Sequence, residues 1–192
     1  MIAIPWLRTS TMRPILISFF LMTSVRAFGA ETIIFGTAND AKACYQAATV
    51  HAQSADPEVC TSEIKDGNLT QTDLAATYSN RGIILANNGQ LDKAIKDQTT
   101  AVQLDPLSAR AHNNCANAYY RAQRHKEALN EYDQAIALSG GKLAPAYYNR
   151  GQLHNALGDK DAARQDLQQA ATLAPDVYEH ALDGLDHPDA GS

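Results

Sequence analysis

The sequence predicts an all-α fold, an α-solenoid of antiparallel helix hairpins. Three observations predict it. The phrase Tyr78-Ser79-Asn80-Arg81-Gly82 returns as Tyr147-Tyr148-Asn149-Arg150-Gly151, with His112-Asn113-Asn114-Cys115-Ala116 between them, in steps of 34 and 35 residues. A fixed period of this length marks stacked helical units, none of which buries its apolar face alone. Small residues also recur at set places in each period, at Gly82, Ala116 and Gly151 and again at Ala94, Ala128 and Ala163. Turn signals punctuate the same period: Gly89-Gln90 and Gly158-Asp159 inside a unit, Asp105-Pro106 and Ala174-Pro175 at its end. Glycine accepts positive φ, and proline removes a donor and restricts the residue before it.

The chain opens with basic residues at Arg8 and Arg13, an apolar run from Ile15 to Met22, and small residues around Val25-Arg26-Ala27. That is the layout of a secretory leader, residues 1–27, with a cut after Ala27 or as late as residue 30. The apolar run is shorter than the roughly 20 residues a spanning helix needs, so no stable membrane span is expected in the mature form.

Residues 37–74 read as a degenerate helical hairpin. An Ala-rich helix is expected over 39–50 and a second over 57–66, with Asp56 as N-cap and Pro57 at the first helical position. Cys44 and Cys60 lie symmetrically about residue 52. In an antiparallel hairpin they meet at similar heights, and an exported protein can oxidise them to a disulfide. A link over Gly67–Thr72 leads to three units, 75–108, 109–143 and 144–177. The extra residue of the second step falls at Gly140-Gly141, where an insertion costs little. The last stretch, 178–192, reads as a short cap, with a helix over 177–184, and an acidic tail. From Asp176 onward there are five acids and no Lys or Arg.

These slots resemble the tetratricopeptide repeat family, whose pattern sets aromatic, small and closing Pro positions along 34 residues. The units starting at Ala75, Ala109 and Ala144 supply Tyr78, His112 and Tyr147; Ala94, Ala128 and Ala163; and Pro106, Gly140 and Pro175. The departures are Arg81 and Arg150 in a Leu slot, Gln98 in a large apolar slot and His154 in a Tyr slot. The resemblance implies a right-handed solenoid. Each unit's first helix would line a concave groove that holds an extended peptide or a partner's helix.

Composition narrows the function. The 192 residues carry 16 basic and 21 acidic side chains, a net charge of -5. Removing Arg8, Arg13 and Arg26 with the leader leaves 13 basic residues against 21 acids, a net -8. Nucleic acid is therefore not an expected partner, since phosphate binding draws on Lys and Arg. No Gly-rich phosphate loop, His-Glu-x-x-His or Gly-x-Ser-x-Gly is present, and no cofactor or metal is expected. His112 and Cys115 stand one turn apart, but Cys115 occupies a core slot and no orienting acid accompanies them, so no catalytic pair is assigned.

The candidate site is the groove. Arg110, Asn113, Asn114, Asn117 and Arg121 fall on one face of the second unit's first helix. Tyr148, Asn149 and Gln152 hold equivalent places in the third unit, and Asn80 and Ile83 in the first. An Asn amide offers a donor and an acceptor and can hold a peptide backbone without reading its side chains. Asn80, Asn114 and Asn149 share one repeat position, which by resemblance contacts ligand backbone. Structural Asn that bond neighbouring helices is the competing reading of the same residues. The family's clamp for C-terminal dicarboxylates wants Lys or Arg where Ser79, Ile83, Pro145 and Asn149 stand, so that ligand is not expected.

The expected function is a non-catalytic protein-interaction module of a bacterial-type cell, exported to the periplasm or beyond, with a protein or peptide partner. A self-associating envelope scaffold is the alternative, and an enzyme with an unrecognised site a remote one.

Overall fold

The computed structural model describes residues 42–50 and 55–186, and every regular element among them is a helix. The expected leader, residues 39–41 of the expected first helix and the tail beyond Asp186 lie outside the described residues. In chain order the helices are α1 (Lys42–Val50), α2 (Glu58–Asp66), α3 (Gln71–Asn87), α4 (Leu91–Leu104) and α5 (Ala109–Arg121), then α6 (His125–Leu138), α7 (Ala144–Ala156), α8 (Lys160–Leu173), α9 (Pro175–Tyr178) and α10 (Asp183–Asp186).

The pairs α3–α4, α5–α6 and α7–α8 form antiparallel hairpins. Each stacks on the next, α4 against α5 and α6 against α7, while α3, α5 and α7 run side by side. There is no single core. Apolar clusters repeat along the stack instead: Ala116, Ala128, Tyr132 and Leu153 form one, and Ala163, Leu167 and Leu185 another. Each hairpin closes on a small residue facing a larger one. A Cβ built on Gly151 would lie 2.9 Å from Leu167 Cγ, and one on Gly82 would lie 2.7 Å from Gln98 Nε2. Ala116 takes the same slot opposite Tyr132, which is fully buried. Gln98, unexpected in an apolar slot, satisfies its amide within the hairpin. Ser79 Oγ donates to its Oε1 at 3.0 Å, and its Nε2 donates to the Ser79 carbonyl at 2.9 Å.

The inner turns share one geometry. Gln90 N–H reaches Leu85 O, Arg124 N–H reaches Tyr119 O and Asp159 N–H reaches His154 O, each at 2.8–2.9 Å. The residue before each donor is left-handed: Gly89 and Gly158 in units one and three, but Gln123 (φ 61°) in unit two. That is the conformation in which a Cβ is unfavourable.

The first hairpin is pinned as expected by a Cys44–Cys60 disulfide, with Cα atoms 4.6 Å apart. Glu63 of α2 adds a cap, its Oε1 accepting from the backbone N–H groups of Ala43 and Cys44 at the start of α1. Asp56 Oδ1 accepts from Glu58 N–H at 2.9 Å, and Pro57 already has helical angles. Both α1 and α2 pack on α3.

Two boundaries differ from expectation. The first unit's opening helix starts at Gln71, inside the expected link. Thr70 caps it: Asp73 N–H donates to Thr70 Oγ1, whose hydroxyl donates to Asp73 Oδ2 at 2.7 Å. The expected helix over 177–184 is replaced by α9 and α10. Between them Ala181 and Asp183 reach only three residues back, to Tyr178 and His180, so the chain tightens rather than continuing as an α-helix. Tyr178 folds onto the end of the stack, its ring 4.8 Å from that of Tyr148.

Candidate functional site

The first helices α3, α5 and α7 carry the residues singled out in the sequence. Arg110 is exposed, and Arg121, Tyr148 and Gln152 are partly buried. Asn80, Ile83, Asn113, Asn114, Asn117 and Asn149 are buried, Asn114 to 1% exposure and Asn117 to 4%. Asn113, Asn114 and Asn149 meet neighbouring first helices, as the competing reading of structural Asn expected. Their exposure was not readable from the helical period.

The amides form a polar ladder across the stack. Asn149 Nδ2 donates to Asn113 Oδ1 at 3.1 Å, joining α7 to α5. Asn113 Nδ2 lies 3.4 Å from Asn114 Oδ1, and Asn114 Nδ2 donates to Ser79 Oγ at 3.1 Å, joining α5 to α3. Tyr132 OH donates to Asn117 Oδ1 at 2.6 Å. Arg121 spans the same seam from its other end, giving one N–H to Asn87 Oδ1 and another to the Ala86 carbonyl. A ladder of this kind fixes the register of helix on helix, because each buried amide has one geometry that satisfies it. Near Arg121 an open cleft of ≈ 340 Å³ is lined by Ala86, Asn87, Leu91 and Tyr120. Neither α5 nor α7 carries an acidic residue. Tyr148 differs from its neighbours in spending one face on the cap, against Tyr178.

A second set of residues was read only as departures from a pattern. Arg81 forks onto Asp97, Nε to Oδ2 at 2.7 Å and Nη2 to Oδ1 at 2.9 Å. Arg150 does the same to Asp166, at 2.8 and 2.7 Å, and also reaches Asp133 of the preceding unit. Each guanidinium lies over the aromatic three residues before it, Tyr78 or Tyr147. The carboxylate holds the Arg81 pKa above its ordinary value, against the opposing effect of burial. The equivalent pair in unit two is Cys115 and Glu131. There Glu131 instead binds His112, which replaces the tyrosine, at 2.6 Å. The shared 16-residue spacing of Arg81/Asp97 and Arg150/Asp166 was the signal available in the sequence.

His112 turns both ring nitrogens to acceptors, Nδ1 to the Glu131 carboxylate and Nε2 to the Pro106 carbonyl at 3.1 Å. Both contacts are made as donors only by the imidazolium, and the Glu131 hydrogen bond raises the His112 pKa although burial opposes it. Burial pushes the Cys115 thiol up to about 12. Against the expectation of no orienting acid beside His112, Glu131 is one. Cys115 itself is a free, buried thiol whose raised pKa disfavours the nucleophilic thiolate, in keeping with a packing residue. Among the described residues no three His, Cys, Asp or Glu side chains gather as a metal site. No described helix is long and apolar enough to cross a membrane.

The family model for the tetratricopeptide repeat matches residues 73–139 and 107–176, more than half of the chain. RNA polymerase II-associated protein 3 of Xenopus tropicalis is 30% identical over 115 residues, which cover 60% of this chain and 17% of that protein. The chain spans less than two thirds of the length of the first relatives it matches. Among solved structures, the first TPR of Spaghetti (RPAP3) bound to the HSP90 peptide SRMEEVD superposes with a TM-score of 0.55 at 27% identity, covering 60% of this chain and 90% of that one. A thermophilic TPR protein of Thermus thermophilus gives a TM-score of 0.68 at 18% identity, covering 79% and 82%, and bears on the fold alone.

Proposed function

The chain belongs to the tetratricopeptide repeat family, and from that premise we propose that it is a non-catalytic interaction module holding an extended peptide or protein segment along α3, α5 and α7. The observation that carries this is the inner row of Arg110, Arg121, Tyr148 and Gln152, exposed or half-buried on α5 and α7, two helices free of acidic residues. An accessible amide such as that of Gln152 can match the donors and acceptors of an extended chain. The relative bound to an HSP90 peptide supports the same use of the fold. Here Ser79, Ile83 and Asn149 are buried where a clamp for acidic C-termini wants cations, so we assign main-chain capture rather than that ligand.

We also propose export. The leader layout of residues 1–27 and the Cys44–Cys60 bridge both favour an oxidising compartment.

The test is a photo-crosslinking amino acid placed at Arg110 or Gln152, on the inner side, and at Lys96 or Arg164, exposed on α4 and α8, in the native host. The reading expects partner adducts from the inner positions. Adducts only from α4 and α8 would overturn it. Self-association is the second reading, favoured by Val177, 70% exposed at the end of the stack. A mass in light scattering that grows with concentration would support it.

A further inference from the structure

We propose a second binding site, on the outer side of the stack: a cleft between α2 and α4 that takes a short zwitterionic peptide. The peptide carboxylate points toward Lys93 and Lys96 of α4, and its ammonium toward Asp56 and Glu58 at the start of α2. The site is separate from the inner face, and neither depends on the other.

The cleft exists because α2 is short. It has 9 residues, against 14 in α4 and in α6. A shared contact fixes where the missing ones belong. Arg150 Nη1 donates to Asp133, the ninth residue of α6, whereas Arg81 Nη1 donates to Thr61, the fourth residue of α2. The helix α2 therefore lacks about the first five residues of a second helix, roughly one and a half turns. Both α2 and α4 pack on α3. Beside the opening turns of α4 the missing stretch leaves an open cleft of ≈ 730 Å³, with Tyr78, Arg81 and Leu85 of α3 as its floor. That volume lies within the range of small-ligand sites.

The floor is set before any ligand arrives. Arg81 spends Nε and Nη2 on Asp97 and Nη1 on Thr61, so it braces one wall to the other. Tyr78 lies against that guanidinium, and Leu85 is 6% exposed beside it. Together they offer apolar surface to one side chain.

The walls decide the ligand. Lys93 and Lys96 are exposed on one face of α4, three residues apart. Asp56 and Glu58 are exposed on the α2 side. Among the described residues no ion pair joins these two walls. Lys93 Nζ donates to Gln90 Oε1 on its own side, and Asp56 Oδ1 accepts from Glu58 N–H on the other. Two ammonium groups thus face two carboxylates across one cleft, above a floor whose own charges are matched. A phosphate would meet the acids, and a dication would meet the lysines. A molecule with one charge of each sign at its two ends complements both walls. A free peptide has that form. Three extended residues span about 10 Å, comparable to the spacing of neighbouring helices.

The experiment titrates the chain, expressed from its full sequence, by calorimetry. The probes are Ala-Leu-Ala, Ala-Phe-Ala and Ala-Tyr-Ala, each free, N-acetylated and C-amidated, and inorganic phosphate. The expected result is saturable binding of at least one free tripeptide below about 10 mM, with each blocked form at least fivefold weaker. Lys93→Gln with Lys96→Gln should bring the free and amidated forms to equal affinity. Glu58→Gln should narrow the gap between the free and acetylated forms. These substitutions change exposed side chains, and circular dichroism should show the parent's helicity in each variant. Binding by none of the three tripeptides would overturn the inference, as would no loss on blocking either end, or preferences unchanged in the variants. Phosphate binding as tight as the tripeptide would reduce the cleft to an anion site and also overturn it. If Arg110→Glu removes tripeptide binding while the lysine variant retains it, the peptide lies on the inner face and this inference falls. If binding follows the lysines while crosslinks from Arg110 and Gln152 trap nothing, the groove reading falls and this inference stands.

Discussion

Gln123 carries the one non-glycine left-handed backbone among the described residues, where its counterparts are Gly89 and Gly158. A left-handed residue with a Cβ costs roughly 1–2 kcal/mol, partly offset by glycine's greater unfolded entropy. Gln123→Gly should therefore raise stability by about 1 kcal/mol, read as an upward shift of the thermal midpoint. An unchanged or lower midpoint would show that the Gln123 side chain, 3.1 Å from His125 Nε2, compensates. Gly151→Ala acts oppositely. Its Cβ would meet Leu167 at 2.9 Å and Asp166 Cβ at 3.1 Å, and overpacking at such contacts costs about 1–3 kcal/mol. His112 supplies a pH dependence. Its folded pKa is raised above the ordinary 6.5, so its stabilisation is full below that value and fades as pH rises through the folded pKa. His112→Gln should flatten this part of the stability–pH curve; an unaltered slope would contradict the imidazolium assignment.

At the scale of the helix hairpin, the Arg–carboxylate forks stitch the first helix of a unit to its second. Asp97 and Asp166 are nearly buried, so removing the cation strands a carboxylate. Arg150→Leu should cost on the order of 2 kcal/mol, between the values for exposed and fully buried pairs. Arg150→Leu with Asp166→Leu should recover part of the loss in urea unfolding. Equal losses would show that Arg150 acts by packing alone. The Cys44–Cys60 bridge pins the first hairpin, and a loop of its length contributes roughly 3 kcal/mol through the unfolded chain. Much of this level was legible in advance. Asp56-Pro57 announced α2, and the two cysteines announced its partner. The forks were not, because a pattern that reserves the Arg81 slot for an apolar residue says nothing about an aspartate 16 residues later. Thr70 was also missed, although Thr70-x-x-Asp73 is a local capping signal. Its early start to α3 was hidden by counting the unit from Ala75.

For the whole molecule, period and turn chemistry sufficed for the stack, since each unit repeats one local solution. The groove was half legible. Helical spacing places Asn80, Asn114 and Asn149 in line, but burial depends on what lies across the neighbouring helices, which spacing along one helix does not report. The Asn114 and Asn149 amides join α3, α5 and α7, so they serve the scaffold, and the exposed and half-buried residues beside them are what the inner face offers a partner. That places the functional claim on the inner face as a surface. Once a crosslinked partner is identified, its Kd should be measured for Arg110→Glu and for Arg164→Glu in the otherwise native chain. The account predicts at least tenfold weaker binding for Arg110→Glu with little change for Arg164→Glu. Loss of binding on the α8 side, with Arg110→Glu unaltered, would contradict it.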